Sequence, residues 1–222
     1  MKDLTTNLQL RKTLIDNLNK FPVREIVDSD KKHAAVAVVV TNSDRPANIA
    51  NLTFDENACA QAAFVLTTRS AKLNNHRGQR AFPGGRIDAG ETAEQAALRE
   101  LEEEVGLRLE ADRILGRLDD YATRSGYVIT PIVIWAGTHI TMRANPDEVE
   151  LIHRIPLREL LREDAPILEP IPESRHPVLK MPLGDEWFAA PTAAIAYQFR
   201  EVALLGRSIR VVDYEQPYFA WH

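Results

Sequence analysis

Residues 81–107 read AFPGGRIDAGETAEQAALRELEEEVGL, and this stretch decides how the fold is interpreted. Its second half predicts a helix over residues 91–105. The helix opens with a capping-box pattern, in which Thr92 is followed three residues later by Gln95. Gly106 is the kind of residue at which such a helix ends. The stretch therefore predicts a glycine-containing loop followed by a well-defined helix.

An apolar stripe predicts which side of this helix meets the core: it consists of Leu98, Leu101 and Val105. Glu100, Glu103 and Glu104 are then expected on the opposite face. At these spacings like charges repel and raise each other's pKa unless a cation lies between them. Oxygen ligands suit a hard divalent ion such as Mg²⁺ or Mn²⁺. The alternative is a solvated acidic face that binds nothing.

The charge pattern on either side of the loop favours the cation site. Residues 57–87 contain no Asp or Glu, whereas residues 88–104 contain seven acids and a single base, Arg99. A basic segment beside clustered carboxylates suits a phosphorylated substrate and the cations that bridge its oxygens. The alternative is that these bases only solubilise the surface. The basic side chains of residues 57–87 are Arg69, Lys72, His76, Arg77, Arg80 and Arg86.

These residues resemble the Nudix family. The pattern Gly85-x5-Glu91-x7-Arg99-Glu100-Leu101-x-Glu103-Glu104-x-Gly106-Leu107 fills every specified position of the Nudix box. The resemblance implies the α+β class, as an α/β/α sandwich around a mixed β-sheet, and a loop-helix-loop whose glutamates bind a divalent metal. It also implies that Arg99 pairs with Glu91 and so fixes the loop against the helix.

A second motif upstream resembles the coenzyme A pyrophosphatase branch of that family. Leu66-Thr67-Thr68-Arg69-Ser70 is followed by Leu73, His76, Gly78 and Phe82-Pro83-Gly84-Gly85. Asn74 departs from the branch pattern, which commonly has an arginine there. The resemblance, which covers about residues 33–160, implies a hydrolase that cleaves the diphosphate of coenzyme A or its thioesters to 3′,5′-ADP and 4′-phosphopantetheine derivatives.

The resemblance also implies roles for individual residues. Glu100, Glu103, Glu104 and a backbone carbonyl of Gly85 would hold Mg²⁺ or Mn²⁺. Glu103 and the downstream Glu148 are alternative acceptors for the proton of the attacking water. The expected substrate contacts are those of Arg69, His76, Arg77, Arg80 and the backbone of Gly84.

Two other functions stay open at this stage. The first is a Nudix hydrolase for ADP-ribose, NADH or another nucleoside diphosphate derivative, which the departure at Asn74 favours. The second is a domain that binds a nucleotide as a sensor without cleaving it. Sensors of this kind usually lose glutamates of the box, and this chain has them all.

Composition limits the remaining alternatives. The chain has 222 residues, a formal charge of −5 and a single cysteine, Cys59. We therefore expect no nucleic-acid partner, no disulfide framework and a reducing compartment, taken as the cytoplasm. Its apolar runs are shorter than the ~18–20 residues of a membrane span, so no membrane partner is expected. The predicted partner is a small diphosphate, and a homodimer is an open alternative.

Hydrophobic periodicity predicts one domain over residues 1–222, with an N-terminal helix and a C-terminal extension. Pro131 falls inside a predicted strand, which indicates an edge strand or a bulge. The predicted helices cover residues 7–20, 91–105, 157–161 and 194–205. The predicted strands cover residues 33–40, 62–68, 114–118, 126–135, 149–154 and 208–212.

Overall fold

A computed structural model describes residues 4–27, 30–43, 49, 52, 61–72 and 78–217. The centre of the described structure is a mixed sheet of eight strands. In chain order the strands are β1 (Lys32–Asn42), β2 (Ala62–Arg69), β3 (Arg80–Ala81), β4 (Gly84–Arg86), β5 (Ile114–Arg117), β6 (Tyr121–Ala122), β7 (Tyr127–Gly137) and β8 (Val149–Pro156).

The two central strands β1 and β2 are antiparallel, and they pair only at one end. Asn42 of β1 lies opposite Ala62 of β2, whereas the first half of β1 pairs with β4 instead. The last part of β2, at the end of the sheet where β1 begins, pairs with β3. The short strands β3 and β4 therefore lie where β1 and β2 separate. β8 pairs along β2, and β7 runs parallel to β1. The glycine loop is thereby built into the sheet at the end where β1 begins and β2 ends.

Within the described ranges, three α-helices cover the two faces of the sheet: α1 (Leu8–Lys20), α2 (Ala93–Val105) and α3 (Thr192–Phe199). Side chains of β1 alternate between the faces, as expected for a strand buried on both sides. Ala35, Ala37 and Val39 pack against α2 in one apolar cluster. Val38 and Val40 join a second cluster that includes residues of α1 and α3. The result is the α/β/α sandwich, of class α+β, that the resemblance implies.

A second sheet of three strands follows β8 and a short 3₁₀ helix (Leu157–Leu161). Its strands are β9 (Ile167–Ile171), β10 (Ser174–Leu183) and β11 (Glu186–Ala189). Leu179 and Met181 of β10 and Phe188 of β11 belong to the same apolar cluster as α1 and α3. The C-terminal extension is therefore packed on the face of the main sheet opposite α2.

Most of the predicted elements are confirmed. The helix α2 has both the N-terminal capping box and the C-terminal glycine that the sequence predicts. Thr92 and Gln95 form the full capping box, and Gly106 adopts the left-handed conformation with φ 65°. The helix over residues 194–205 is present as α3 and a π-helical turn, Arg200–Leu204. Among the described residues, no helix is long and apolar enough to cross a membrane.

The strands differ from the expectations in three respects. β7 is an interior strand, not an edge strand, since it lies between β1 and β5. Pro131 fits there because its partner strand is interrupted: β5 ends at Arg117, β6 begins at Tyr121, and the Pro131 carbonyl accepts a hydrogen bond from Leu118 in between. Residues 208–212 form no strand, and the sheet of β9, β10 and β11 was not predicted.

Candidate metal centre

Three carboxylates converge at the end of the sheet where the glycine loop lies. Glu100 and Glu104 project from α2, and Glu148 comes from the turn that precedes β8. One oxygen of each lies within 4.8 Å of the others. Residues from two distant parts of the chain thus form a single all-oxygen cluster.

The glycine pair makes room for this cluster. A Cβ on Gly85 would lie 2.1 Å from Oε1 of Glu100, so any side chain there would displace that carboxylate. A Cβ on Gly84, whose φ is +157°, would lie 2.3 Å from the carbonyl oxygen of Ala35. The N–H of Gly84 donates to Oε2 of Glu104 at 3.2 Å. Both glycines are needed so that the loop can pack between α2 and β1.

Glu104 is buried, which corrects the expectation that it lies on the face of the helix opposite the core. Its relative exposure is 4%, equal to that of the core residues Leu18 and Phe82. The buried face of α2 is centred nearer Ala96, Ala97 and Leu101 than the sequence stripe suggested, while Leu98 is only partly buried. At about 100° per residue, Glu104 lies close to Ala97 on this face.

Burial changes the acidity of the Glu104 and Glu100 carboxyl groups. It raises the pKa of Glu104 to about 7, although the Gly84 N–H and the charge of Arg69 act in the opposite direction. Arg69 Nη1 is 4.0 Å from Glu104 Oε1. Burial also raises the pKa of Glu100, against the lowering effect of Arg99. These carboxylates are therefore short of positive charge.

Arg99 connects the glycine loop with α2. It donates to both oxygens of Glu91, at 3.0 and 3.1 Å, and to the carbonyl oxygen of Arg86 at 2.9 Å. This is the pairing that the resemblance implies. Hydrogen bonding to Glu91 is the main cause of the raised pKa of Arg99, and the pKa of Glu91 is lowered by the same contact.

Glu103 lies outside the convergent group. Its Oε2 accepts a hydrogen bond from Nη1 of Arg99 at 2.9 Å, and its side chain is 53% exposed. The same Arg99 nitrogen also donates to Glu100 at 2.8 Å. Of the three glutamates that the sequence analysis placed together, the structure brings Glu100 and Glu104 together and leaves Glu103 at the solvent side.

The expected phosphate-binding residues do not all lie at this site. Arg69 lies beside Glu104, as described above. Arg80 is directly opposite Thr68 in the β2–β3 pair, so it shares the face of the sheet that carries the second sheet, and its guanidinium forms an ion pair with Glu186 of β11. His76 and Arg77 lie outside the described residues, as do Cys59 and Asn74.

The donor set fits a hard divalent cation. Glu100, Glu104 and Glu148 offer only oxygen, and the cluster includes a carboxylate that is buried without a full complement of donors. Mg²⁺ and Mn²⁺ prefer such ligands, whereas zinc sites in proteins usually include histidine or cysteine. A bound divalent cation would offset both the repulsion among the three carboxylates and the cost of burying Glu104.

Comparison with known proteins identifies the family of this chain. The NUDIX domain model matches residues 31–173. The Nudix hydrolase NudL of Yersinia enterocolitica is 33% identical over 159 residues, which are 69% of this chain and 73% of that protein. Nudix hydrolase 3 of Caenorhabditis elegans is 40% identical over 103 residues, 45% of this chain and 43% of that protein.

Among solved structures, a MutT/nudix family protein from Enterococcus faecalis aligns with a TM-score of 0.47 at 17% identity, covering 74% of this chain and 52% of that chain. The family itself rests on the sequence matches, since the NUDIX domain model spans more than half of the chain and the NudL match extends over about two thirds of it. The chain therefore belongs to the Nudix family and is a Nudix pyrophosphohydrolase.

Proposed function

We propose that this enzyme hydrolyses the diphosphate bond of coenzyme A or acyl-CoA, giving 3′,5′-ADP and 4′-phosphopantetheine or its acyl derivative, with Mg²⁺ or Mn²⁺ as cofactor. The observation that carries the proposal is the convergence of Glu100, Glu104 and Glu148 directly beside Arg69. Arg69 belongs to the L-T-T-R-S motif that distinguishes the coenzyme A branch in the resemblance. The site and the specificity motif are thus in contact.

In this proposal Glu100, Glu104, Glu148 and the carbonyl oxygen of Gly85 hold the ion. A divalent ion held there supplies positive charge to the diphosphate oxygens and makes a nearby water more acidic. Gly84 and Gly85, which lack side chains, let the substrate approach the loop backbone. Arg99 keeps the loop and α2 in fixed relation while the substrate binds.

The chemical step adds water across the P–O–P bridge. The water oxygen forms a bond to one phosphorus, the bond from that phosphorus to the bridging oxygen breaks, and the proton of the water passes to a carboxylate. Glu148 and Glu103 are the two candidates for that base. Glu148 already belongs to the cluster, whereas Glu103 accepts from Arg99. The pH profiles of kcat for Glu148→Gln and Glu103→Gln separate them, because only loss of the base removes the acidic limb.

The contacts proposed for the substrate phosphates are Arg69, His76, Arg77 and the backbone of Gly84. Arg80, which the sequence analysis grouped with them, is held by Glu186 on the other face of the sheet. We therefore leave Arg80 out of the proposed substrate site. The 3′-phosphate of coenzyme A would be recognised by the other basic residues of the segment.

The placement of Arg80 favours a second candidate function. With Arg80 held by Glu186, one cationic side chain fewer is available for a third phosphate. A substrate that has only the diphosphate, such as ADP-ribose or NADH, needs fewer cationic side chains. The departure at Asn74 points the same way. This candidate keeps the fold, the cation and the reaction, and changes only the group attached to the diphosphate.

A substrate panel tests the proposal. We expect coenzyme A to be cleaved with a kcat/KM at least ~10-fold above that of 3′-dephospho-coenzyme A, corresponding to ~1.4 kcal/mol, because loss of the phosphate leaves charged donors without an acceptor. The difference should shrink at high salt. Equal kcat/KM for coenzyme A and 3′-dephospho-coenzyme A, or a preference for ADP-ribose, would favour the second candidate function. Binding without turnover in the presence of Mg²⁺ would instead indicate a sensor.

A further inference from the structure

The turn before β8 is attached to the C-terminal end of α2 by its backbone. The N–H of Arg143 donates to the carbonyl oxygen of Val105 at 2.8 Å, and the N–H of Asn145 donates to that of Glu104 at 2.9 Å. Carbonyl groups in the last turn of a helix have no partner within the helix, so these two bonds satisfy groups that would otherwise need water. The turn is therefore anchored on the residue that contributes a buried carboxylate to the site.

Asn145 also fixes the shape of the turn that carries Glu148. Its carbonyl oxygen accepts from the N–H of Glu148 at 3.1 Å and of Val149 at 2.8 Å. Its side-chain Oδ1 accepts from the N–H of Asp147 at 3.2 Å, which is the Asx-turn arrangement. Through its backbone and its side chain, Asn145 joins Glu104 to Glu148.

Ser70 holds the same turn from the other side. Its N–H donates to the carbonyl oxygen of Glu148 at 2.8 Å, and its hydroxyl donates to that of Pro146 at 3.3 Å. The hydroxyl also accepts from the N–H of Lys72 at 3.3 Å. Ser70 is 5% exposed, so these bonds are made away from water. Ser70 directly follows Arg69 in the L-T-T-R-S motif, whose last position has no other role in the proposed chemistry.

We propose that Ser70 and Asn145 are positioning residues, which hold the turn of residues 145–148 between β2 and α2 so that the Glu148 carboxylate meets Glu100 and Glu104. This inference rests on the metal site of the proposed function and not on the identity of the substrate. It explains how a carboxylate 44 residues away from Glu104 in the chain reaches it within 4.8 Å. It also assigns a role to Ser70 of the L-T-T-R-S motif, which is to hold the turn that carries Glu148.

The same turn offers a matched control. Asp147 lies between Asn145 and Glu148, and its side chain pairs with Lys72 Nζ at 2.9 Å. The two side chains are 79% and 66% exposed, so the pair contributes little to the position of the turn. Asp147→Ala changes the charge beside Glu148 but keeps every backbone bond described above.

The test measures Mn²⁺ binding to the metal-free protein by the loss of free-ion paramagnetic resonance signal. We expect Asn145→Ala to weaken Mn²⁺ affinity ~3- to 10-fold and to lower kcat more than it raises KM for substrate. Asn145→Ser, which keeps a weaker side-chain acceptor, should recover part of the loss. Ser70→Ala should have a smaller effect in the same direction, since its backbone bond survives. Asp147→Ala should bind Mn²⁺ like the wild type.

The decisive comparison repeats these variants with Glu148→Gln. If Asn145 acts by placing Glu148, Asn145→Ala should cause no further loss of Mn²⁺ affinity once that carboxylate is gone. Full additivity, or an equal loss in Asp147→Ala, would overturn the proposal. If Asn145→Ala does not fold, as judged by its melting temperature, Ser70→Ala is combined with Glu148→Gln in the same double-mutant comparison. Failure of the wild type to bind Mn²⁺ would instead refute the metal site itself.

Discussion

The described residues include two groups of carboxylates, each at least partly buried, whose charges are balanced in different ways. On the side of the sheet away from α2, each buried aspartate accepts several hydrogen bonds. Those to Asp119 come from Arg210, Gln198 and the N–H of Arg24, and those to Asp120 come from Arg117, Thr130 and the N–H of Ile26.

In the cluster of Glu100, Glu104 and Glu148, donors are fewer. Glu104 accepts from the N–H of Gly84, and the nearest guanidinium, that of Arg69, is 4.0 Å away. The aspartates attach the segment after α1 and the segment after α3 to the sheet, and their charge is balanced within the protein. Glu104 lacks that balance, which a cation can supply. A buried carboxylate with too few hydrogen-bond donors therefore distinguishes the candidate metal site from the aspartates that stabilise the fold.

The largest expected effect is that of Glu104→Gln on catalysis. We expect kcat to fall by about 10³-fold, equivalent to ~4 kcal/mol, because the amide carries no charge to hold a divalent ion. Turnover is measured at saturating Mg²⁺ on the best substrate of the panel. Glu102→Gln, on the exposed side of the same helix, is the control and should retain full activity. Comparable losses in both variants would mean that the helix, and not the site, is affected.

The aspartate group should show the opposite behaviour. Asp119→Ala removes one acceptor from Arg210 and one from Gln198, and we expect the free energy of unfolding to fall by about 3 kcal/mol. Because this group does not touch the cluster, kcat per folded molecule should stay within about twofold of the wild type. Denaturant unfolding and active-site-normalised turnover measure the two quantities. A large loss of kcat in a fully folded Asp119→Ala would erase the distinction between the two groups.

Gly85→Ala tests whether a glycine at this position is required for Glu100 to lie beside Glu104 and Glu148. The added methyl would lie 2.1 Å from Glu100 Oε1, so that carboxylate must move. We expect kcat to fall at least ~10-fold, about 1.4 kcal/mol, with weaker Mn²⁺ binding in proportion. Normal Mn²⁺ affinity in this variant would show that Glu100 does not need its present position.

The smallest expected effect concerns stability and pH in the metal-free protein. The pKa of Glu104 is raised to about 7 from an ordinary 4.5, so the folded state binds a proton more tightly than the unfolded state. Stability is therefore greatest below the ordinary pKa and falls as pH rises from about 4.5 to about 7. At pH 8, Glu104→Gln should then raise the free energy of unfolding by about 1 kcal/mol, although it lowers kcat.

Calorimetry at pH 8 and at pH 5 measures this difference, which should nearly vanish at pH 5. Mg²⁺ should stabilise the wild type at pH 8 and leave Glu104→Gln unchanged. A variant less stable than the wild type at pH 8 without metal would show that the Glu104 charge is already balanced.

The sequence was sufficient for the parts of the structure that local patterns determine. The capping box, the end of α2 at Gly106 and the glycine loop follow from residue types at fixed spacing. The depth of Glu104 does not, because Ala96 and Ala97 carry too little hydrophobicity to reveal the true buried face. The approach of Glu148 depends on the register of β8 against β2, which no local pattern encodes.

The second sheet was missed for a related reason. Residues 166–182 contain Pro166, Pro170, Pro172, Pro177 and Pro182, which obscure the alternation expected of strands. In residues 208–212 the β-branched side chains suggested a strand, but Arg210 instead bonds to Asp119 and to the carbonyl oxygen of Pro22. Tertiary contacts thus overrode the local preference in both places.

The central claim is that Glu100, Glu104 and Glu148 together hold a divalent cation. Its most direct test is anomalous diffraction from crystals of the wild type soaked in Mn²⁺. The account predicts an anomalous peak at bonding distance from a carboxylate oxygen of all three residues, absent from crystals of Glu104→Gln treated in the same way. A cluster without a peak at millimolar Mn²⁺, or a peak bound only by other acidic side chains, would contradict it.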